Sequence, residues 1–337
     1  RVVFSSLLFV FLFFATNIVV QALVPGIRKK NIVMLAFSLV FYAWAGPKYI
    51  LLLLGMTFIC WAGGMYIAYR ARTHRQRKAA LAITVTLMLL ILCIFKYTGF
   101  FLQNLQLLTG FPKVIPQIAL PIGISFFTFQ GLSYVIDVYR GKYAPERNPL
   151  RYGLFVSFFP QMVQGPISRF DQLAPQLTAE RKLCWDDLQI GIQLALWGYF
   201  KKIVIADRAA VLVNNVIMEN CPYGGAVIAL GILFYCIQLY CDFSGGIDIT
   251  RGVARMFGID MTLNFRRPLF STSLTDYWRR WHITLGAWMR DYVFYPLAFS
   301  KPFGKLGKWA RKHFKGMMGK ICATSTATFI VYLIIGI

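Results

Sequence analysis

Apolar residues gather along this chain in long runs, and lysine and arginine gather in the short stretches between them. A helix needs about 20 apolar residues to cross a hydrocarbon core roughly 30 Å thick. Runs near that length predict spanning helices at 3–24, 32–46, 49–69, 79–97, 118–138, 188–206, 226–243 and 322–337. Helices are expected because lipid cannot satisfy backbone hydrogen bonds. The stretch 152–165, YGLFVSFFPQMVQG, is apolar but short and broken by Pro160, which suits a re-entrant segment. The pattern predicts an all-α fold, a polytopic transmembrane bundle with re-entrant and interfacial helices, forming one domain over residues 1–337.

Charge orients the bundle. Arg28, Lys29 and Lys30 follow the first run, Arg70 to Lys78 the third, and Arg140, Lys142, Arg147 and Arg151 the fifth. Loops 46–48 and 98–117 carry one lysine each. Basic loops stay cytoplasmic, so the N-terminus is predicted outside and residues 166–187 and 251–320 inside. The same bias accounts for the net charge of +23, from 36 basic and 13 acidic residues, without nucleic-acid binding. The first run is too long for a signal-peptide core and reads as a retained span. The chain starts at Arg1 without a methionine and stops inside an apolar run, as a fragment would. The seven cysteines are scattered through apolar runs and read as small fillers or free thiols, with no zinc spacing and no metal site expected.

Residues 251–320 hold 14 basic and 3 acidic side chains interleaved with Trp278, Trp281, Trp288, Tyr277, Tyr292 and Tyr295. Aromatics alternating with arginine and lysine suit helices lying at the headgroup level; a solvated basic loop over anionic lipid is the plainer alternative. Ser273 to Asp276 resembles a capping box, with Asp276 and Arg280 one turn apart.

Few residues could carry chemistry. His74 and His313 sit in charged turns and read as ordinary surface residues, whereas His282 stands among tryptophans. At helical spacing Trp278, His282 and Leu285 share a face, and burial there would tune the imidazole for proton transfer. The alternative is an interfacial histidine packed on tryptophan. Carboxylates within spans are costly and face a cavity or a partner. Asp137, Asp242 and Asp248 are such groups, with Arg251 and Arg255 available as counter-ions; Lys201 and Lys202, beside Asp207 and Arg208, also interrupt a span. Gly245 and Gly246 are expected to loosen the helix between the two acids, the alternative being a structural ion pair at a bend. Pro121 to Gly123 and Gly165-Pro166 are breakers that imply a protein-lined cavity. No P-loop, GxSxG, HExxH or CxxC pattern occurs, which argues against ATPases, serine hydrolases and metalloproteases.

Four stretches taken together resemble one family: Leu120 to Gln130 (LPIGISFFTFQ), Phe159 to Arg169 (FPQMVQGPISR), Asp242 to Asp248 (DFSGGID) and Tyr277 to His282 (YWRRWH), with Val3 to Leu7 also similar. They are similar in order and spacing to the bacterial membrane-bound O-acyltransferases, in the branch of alginate, peptidoglycan and cellulose acetylation. The resemblance implies a central funnel or tunnel, an acyl group taken from a cytoplasmic thioester, and delivery to an outer hydroxyl. The donor would be acetyl-CoA or an acyl-carrier phosphopantetheine thioester, with no tightly bound cofactor. The implied partners are the lipid bilayer, an extracytoplasmic acetyltransferase and a polysaccharide acceptor, with no nucleic acid; the implied place is the bacterial cytoplasmic membrane. The first family histidine falls on His282. A second, in a Trp-His-Gly motif, would follow Ile337. Asp242, Ser244, Asp248 and Trp278 would line the cavity or the donor site. Arg279, Arg280 and Arg290 would attract donor phosphates or anchor lipid headgroups. Gly246 stands where many relatives have tyrosine. D-alanyl transfer to teichoic acid, and a transporter or channel without covalent chemistry, are the competing readings.

Overall fold

A computed structural model describes residues 6, 8–111, 114–116, 118–217 and 222–336. Most of the opening Val3 to Leu7 stretch, all but Ser6, lies outside the described residues, as does Cys221. The described residues form helices and connecting turns, with no strand among them. Two compact units divide the chain, Arg1–Thr262 and Leu263–Ile337.

The first unit contains α1 (Ala15–Leu23), α2 (Ile27–Ala45), α3 (Ile50–Met65), α4 (His74–Thr109), α5 (Ile124–Arg140), α6 (Pro149–Ser157), α7 (Phe159–Met162), α8 (Phe170–Thr178), α9 (Trp185–Tyr199), α10 (Asp207–Val216) and α11 (Gly225–Met256). The second contains α12 (Leu274–Arg280), α13 (Ile283–Met289), α14 (Tyr295–Ala298), α15 (Lys301–His313) and α16 (Met317–Gly336). Four helical stretches are long and apolar enough to cross a membrane: Pro47–Arg70, His74–Thr109, Gly225–Met256 and Met317–Gly336. Helix occupies the other predicted spans too, in shorter or more polar form.

Several boundaries differ from the sequence expectation, α11 for one running on to Met256. The run at 79–97 lies within the 36-residue α4. At 1.5 Å per residue α4 is about 54 Å long. It opens on a reciprocal capping box between Thr73 and Gln76 and ends at Gly110, in left-handed conformation with φ 72°. Lys96, Gln103 and Gln106 end the apolar run without ending the helix, because straight-chain polar residues are good helix formers. The run at 118–138 becomes helical only from Ile124, because Pro121 to Gly123 form a turn.

The segment 152–165 is a broken helix, as its length and proline suggest. α6 stops at Phe158, whose ψ is 108°, and α7 follows. Leu154 to Met162 are buried throughout. Buried backbone groups must find partners. The Phe159 N–H donates to Ser38 Oγ at 3.2 Å, and Gln161 Nε2 donates to the Phe155 carbonyl at 2.5 Å. Phe9, Phe13, Phe41 and Phe159 pack ring against ring at this break.

The basic loops meet at one end of the first unit. Arg77 donates to the Tyr139 carbonyl at 3.1 Å, Arg147 donates to the Tyr69 hydroxyl at 3.2 Å, and Arg28 and Arg151 line one cavity. The loops after the first, third and fifth runs therefore share a side, as the charge pattern requires. Tyr49, next to the 46–48 loop assigned to the opposite side, donates to the Ala119 carbonyl at 2.8 Å.

Candidate active site

Three of the family-like stretches converge within the first unit. Gly123, with φ 75°, lies so close to α7 that a Cβ there would stand 2.2 Å from the Met162 carbonyl oxygen. Only glycine combines this φ with that approach. A Cβ on Gly246 would stand 2.4 Å from Gln164 Oε1, so α11 lies against the Gly165-Pro166 turn. The first stretch thus rests on the second, and the second on the third. A larger side chain at position 246 has no room while Gln164 holds this place.

α9 and α11 pack through glycine. A Cβ on Gly198 would lie 2.6 Å from the Gly245 carbonyl oxygen, and one on Gly252 would lie 2.6 Å from that of Gly191. Small residues let membrane helices approach closely. The expected loosening at Gly245 and Gly246 does not occur: α11 is continuous from Gly225 to Met256. The glycines are spent on interhelical approach, and the intact helix ladder keeps the backbone paired.

That approach brings lysines to the acids. Lys201 Nζ lies 2.5 Å from Asp248 Oδ2 and 3.1 Å from Ser244 Oγ, and Lys202 pairs with Asp242. Both lysines sit in a π-helical turn, Phe200–Ala206, between α9 and α10. The wider turn shifts the register of side chains that follow it. Arg251 reaches Asp248 at 3.7 Å, as a counter-ion should, but Arg255 instead pairs with Asp187 at 2.8 Å. Asp207 follows the π-helical turn directly, at the first position of α10. Asp137 is buried at the end of α5, near Lys142 at 3.4 Å and Arg140 at 3.9 Å; Lys142 also holds Asp171 at 2.7 Å.

The fourth stretch lies in the second unit. His282 does not share a helical face with Trp278 and Leu285. α12 ends at Arg280, and His282 adopts the left-handed conformation with φ 44° before α13 begins. A non-glycine residue in this region is strained and persists only where its surroundings hold it. Asn264 does so. Its backbone carbonyl accepts from the Ile283 N–H at 2.9 Å, and its side-chain Oδ1 accepts from the Thr284 N–H at 3.0 Å and the Thr284 hydroxyl at 2.9 Å. Asn264 therefore caps α13 from a distant part of the chain, and the break at His282 follows from that capture.

This geometry fixes the imidazole. His282 Nδ1 lies 3.2 Å from Asn264 Oδ1. Because a backbone N–H donates to that atom, it must be the amide oxygen, an acceptor. Nδ1 therefore carries the proton and Nε2 of the neutral ring is unprotonated, the form that accepts a proton from an alcohol. The ring is half-buried beside Phe265, with centroids 6.4 Å apart. Burial pushes its pKa down from 6.5 to about 4, so it is neutral at ordinary pH. Asn264 is wholly buried, and its Nδ2 has no hydrogen-bond partner. Sequence reasoning missed Asn264 and Thr284, because neither stands in a motif or on a periodic face.

The remaining candidates separate by partner. Ser273 Oγ accepts from the Asp276 N–H at 3.1 Å, and Arg280 Nη2 pairs with Asp276 at 2.9 Å. Arg290 pairs with Asp291 at 3.0 Å. Arg279 is exposed and has no carboxylate partner among the described residues. Trp278 packs edge-on against Tyr332 of α16 with centroids 5.7 Å apart. His313 Nδ1 donates to the Trp309 carbonyl at 2.9 Å and its ring stacks on that of Trp309, and His74 packs near Tyr139.

The membrane-bound O-acyltransferase family model matches residues 146–312, which hold α6 to most of α15. The chain is 37% identical over 299 residues to the probable alginate O-acetylase of Pseudomonas aeruginosa, covering 88% of this chain and 57% of that protein. It is 34% identical over 334 residues to the probable alginate O-acetylase of Pseudomonas putida, covering 98% of this chain and 68% of that protein. The chain belongs to the membrane-bound O-acyltransferase family. A peptidoglycan O-acetyltransferase of Helicobacter pylori is 30% identical over 324 residues, covering 87% of this chain and 61% of that protein. The chain thus spans 57% to 68% of the length of these O-acyltransferase relatives. Its glycine-packed helix pair and the Asn264–His282 contact both lie inside the matched residues.

Proposed function

We propose that this protein is an O-acetyltransferase of the bacterial cytoplasmic membrane. It passes acetyl from a cytoplasmic thioester, on coenzyme A or a phosphopantetheine carrier, to a hydroxyl of an exported polysaccharide or cell-wall polymer. Delivery is direct or through an extracytoplasmic partner. The carrying observation is the contact of His282 Nδ1 with Asn264 Oδ1, which puts the ring proton on Nδ1, in a chain whose relatives are named as an O-acetylase and an O-acetyltransferase.

In this reading the acceptor oxygen attacks the thioester carbonyl carbon while its proton moves to Nε2. The C–O bond forms, the tetrahedral intermediate collapses, the C–S bond breaks, and the thiolate takes the proton back. Where a Trp-His-Gly histidine follows, as the resemblance implies, it is the principal base and His282 aligns the hydroxyl. Arg279 is the arginine best placed to attract donor phosphates, since Arg280 and Arg290 are already paired. Asp242, Ser244 and Asp248 serve by holding α11 against the lysine-bearing turn after α9, through Lys201 and Lys202.

The test is His282→Ala in the intact gene product, expressed in its own host, with acyl groups released from the polymer and weighed by mass spectrometry. Acetate should disappear while the protein stays in the membrane at normal level. Near-normal acetylation rejects the role of His282, and release of D-alanine from the unaltered strain's polymer replaces acetyl with the alternative acyl group.

A further inference from the structure

A cavity of about 340 Å³ opens at the end of the first unit where the basic loops meet. Its polar rim includes Arg28 from the first turn of α2 and Arg151 from the first turn of α6, and Ile32, Leu35 and Leu150 form apolar wall. Neither arginine has an ion pair among the described residues. The other polar rim groups are spoken for. Asn31 donates to the Leu177 carbonyl and accepts from Arg181, and Asn148 accepts from the Leu150 N–H as the cap of α6. Glu146 lines a small adjoining recess, where its carboxylate accepts from the Asn148 N–H at 2.9 Å. The rim therefore offers two guanidiniums outside any ion pair among the described residues, Arg151 sharing the small recess with Glu146, and the positive N-terminal end of α6 adds to them.

The apolar wall continues. Leu35 and Leu150 also line a second cleft of about 230 Å³, walled by Leu39, Leu54, Phe58 and Trp61 of α2 and α3. The two share those lining residues and so adjoin. From Arg28 to Leu39 the α2 axis advances about 16 Å at 1.5 Å per residue. That is close to half of a hydrocarbon core about 30 Å thick, the depth of one leaflet. A charged mouth on the basic side, followed by a leaflet-deep apolar cleft, matches an amphiphile with an anionic head and a long hydrocarbon tail.

We infer that this groove between α2, α3 and α6 is a specific seat for an anionic phospholipid of the cytoplasmic leaflet, its phosphate between Arg28 and Arg151 and one acyl chain along Leu35, Leu39 and Phe58. It shares no lining residue with the His282 cluster and does not depend on the acyl-transfer reading. Free phosphate would satisfy the arginines but leave the cleft unused. Coenzyme A would bring phosphates without a long tail.

The experiment uses the intact gene product in a neutral detergent. Thermal unfolding and native mass spectrometry are followed on adding phosphatidylglycerol, phosphatidylcholine of the same chains, inorganic phosphate or coenzyme A. Phosphatidylglycerol should bind one-to-one and raise the melting temperature by several degrees, and the others should not. Arg28→Gln with Arg151→Gln, both at exposed positions, should weaken phosphatidylglycerol about thirty-fold, the effect of two basic residues at an anionic surface. Leu150→Trp, which fills the neck between the two cavities, should weaken it with both arginines intact. Equal binding of phosphatidylcholine, an equal shift from inorganic phosphate or coenzyme A, or unchanged phosphatidylglycerol binding in the arginine variant would each overturn the assignment.

Discussion

Replacing Asn264 by aspartate tests the histidine geometry most directly. The substitution keeps an acceptor for the Thr284 N–H and hydroxyl and puts a negative charge 3.2 Å from His282 Nδ1. At an effective dielectric near 20, Coulomb's law gives about 5 kcal/mol at that distance. The new carboxylate loses solvation, so the net effect falls in the usual range of about 1 to 3 pKa units upward for a group beside an opposite charge. His282 titrates near 4 in the parent, where burial holds it down. The variant should therefore titrate roughly between 5 and 7. The chain has three histidines, so 15N-labelled rings can be followed singly in detergent micelles by magnetic resonance as pH is changed. The parent should show a protonated Nδ1 and an unprotonated Nε2 at neutral pH. The acid limb of acetyl transfer should move upward with the ring. A parent ring protonated at Nε2, or an unmoved midpoint in the aspartate variant, would refute the assignment of Asn264.

Acid should destabilise the parent in a defined window. The folded-state pKa of His282 lies near 4, below the reference value of 6.5, so the unfolded chain binds more protons between the two. Stability is full above about 6.5, falls by at most about 3 kcal/mol as pH drops to about 4, and is flat below; His282→Gln should flatten that slope in pH-dependent thermal melts. Lys201→Met should cost up to about 3 kcal/mol by leaving Asp248 a half-buried carboxylate with only Arg251, at 3.7 Å, to match it, and adding Asp248→Leu should recover much of it, as read from melting temperature. Gly245→Val should lower membrane accumulation and melting temperature sharply, because a Cβ there meets the Gly198 carbonyl oxygen at 2.8 Å. Gly123→Ala should do likewise through the Met162 carbonyl, whereas Gly55→Ala, with nothing near its Cβ, should not.

The sequence by itself determined what depends on neighbours along the chain. Apolar run length located the helices, since the hydrocarbon thickness is fixed and backbone groups must pair inside it. Charge between the runs predicted which loops share a side, and Arg77, Arg147, Arg28 and Arg151 meet accordingly. The Ser273 cap and the Asp276–Arg280 pair were legible because both are local and lie within four residues. Tertiary structure decided the rest. A glycine pair reads equally as flexibility or as close approach, and only the position of α9 against Gly245 and Gly252 shows the second. Asp242 and Asp248 had arginines nearby in sequence, yet lysines 40 and 47 positions away reach them because two helices touch. His282 had a helical neighbourhood by spacing, and Asn264, 18 residues earlier, broke it by taking the first amides of α13. Periodicity reports which way a side chain faces on its own element; what it meets there is set by how distant elements are brought together.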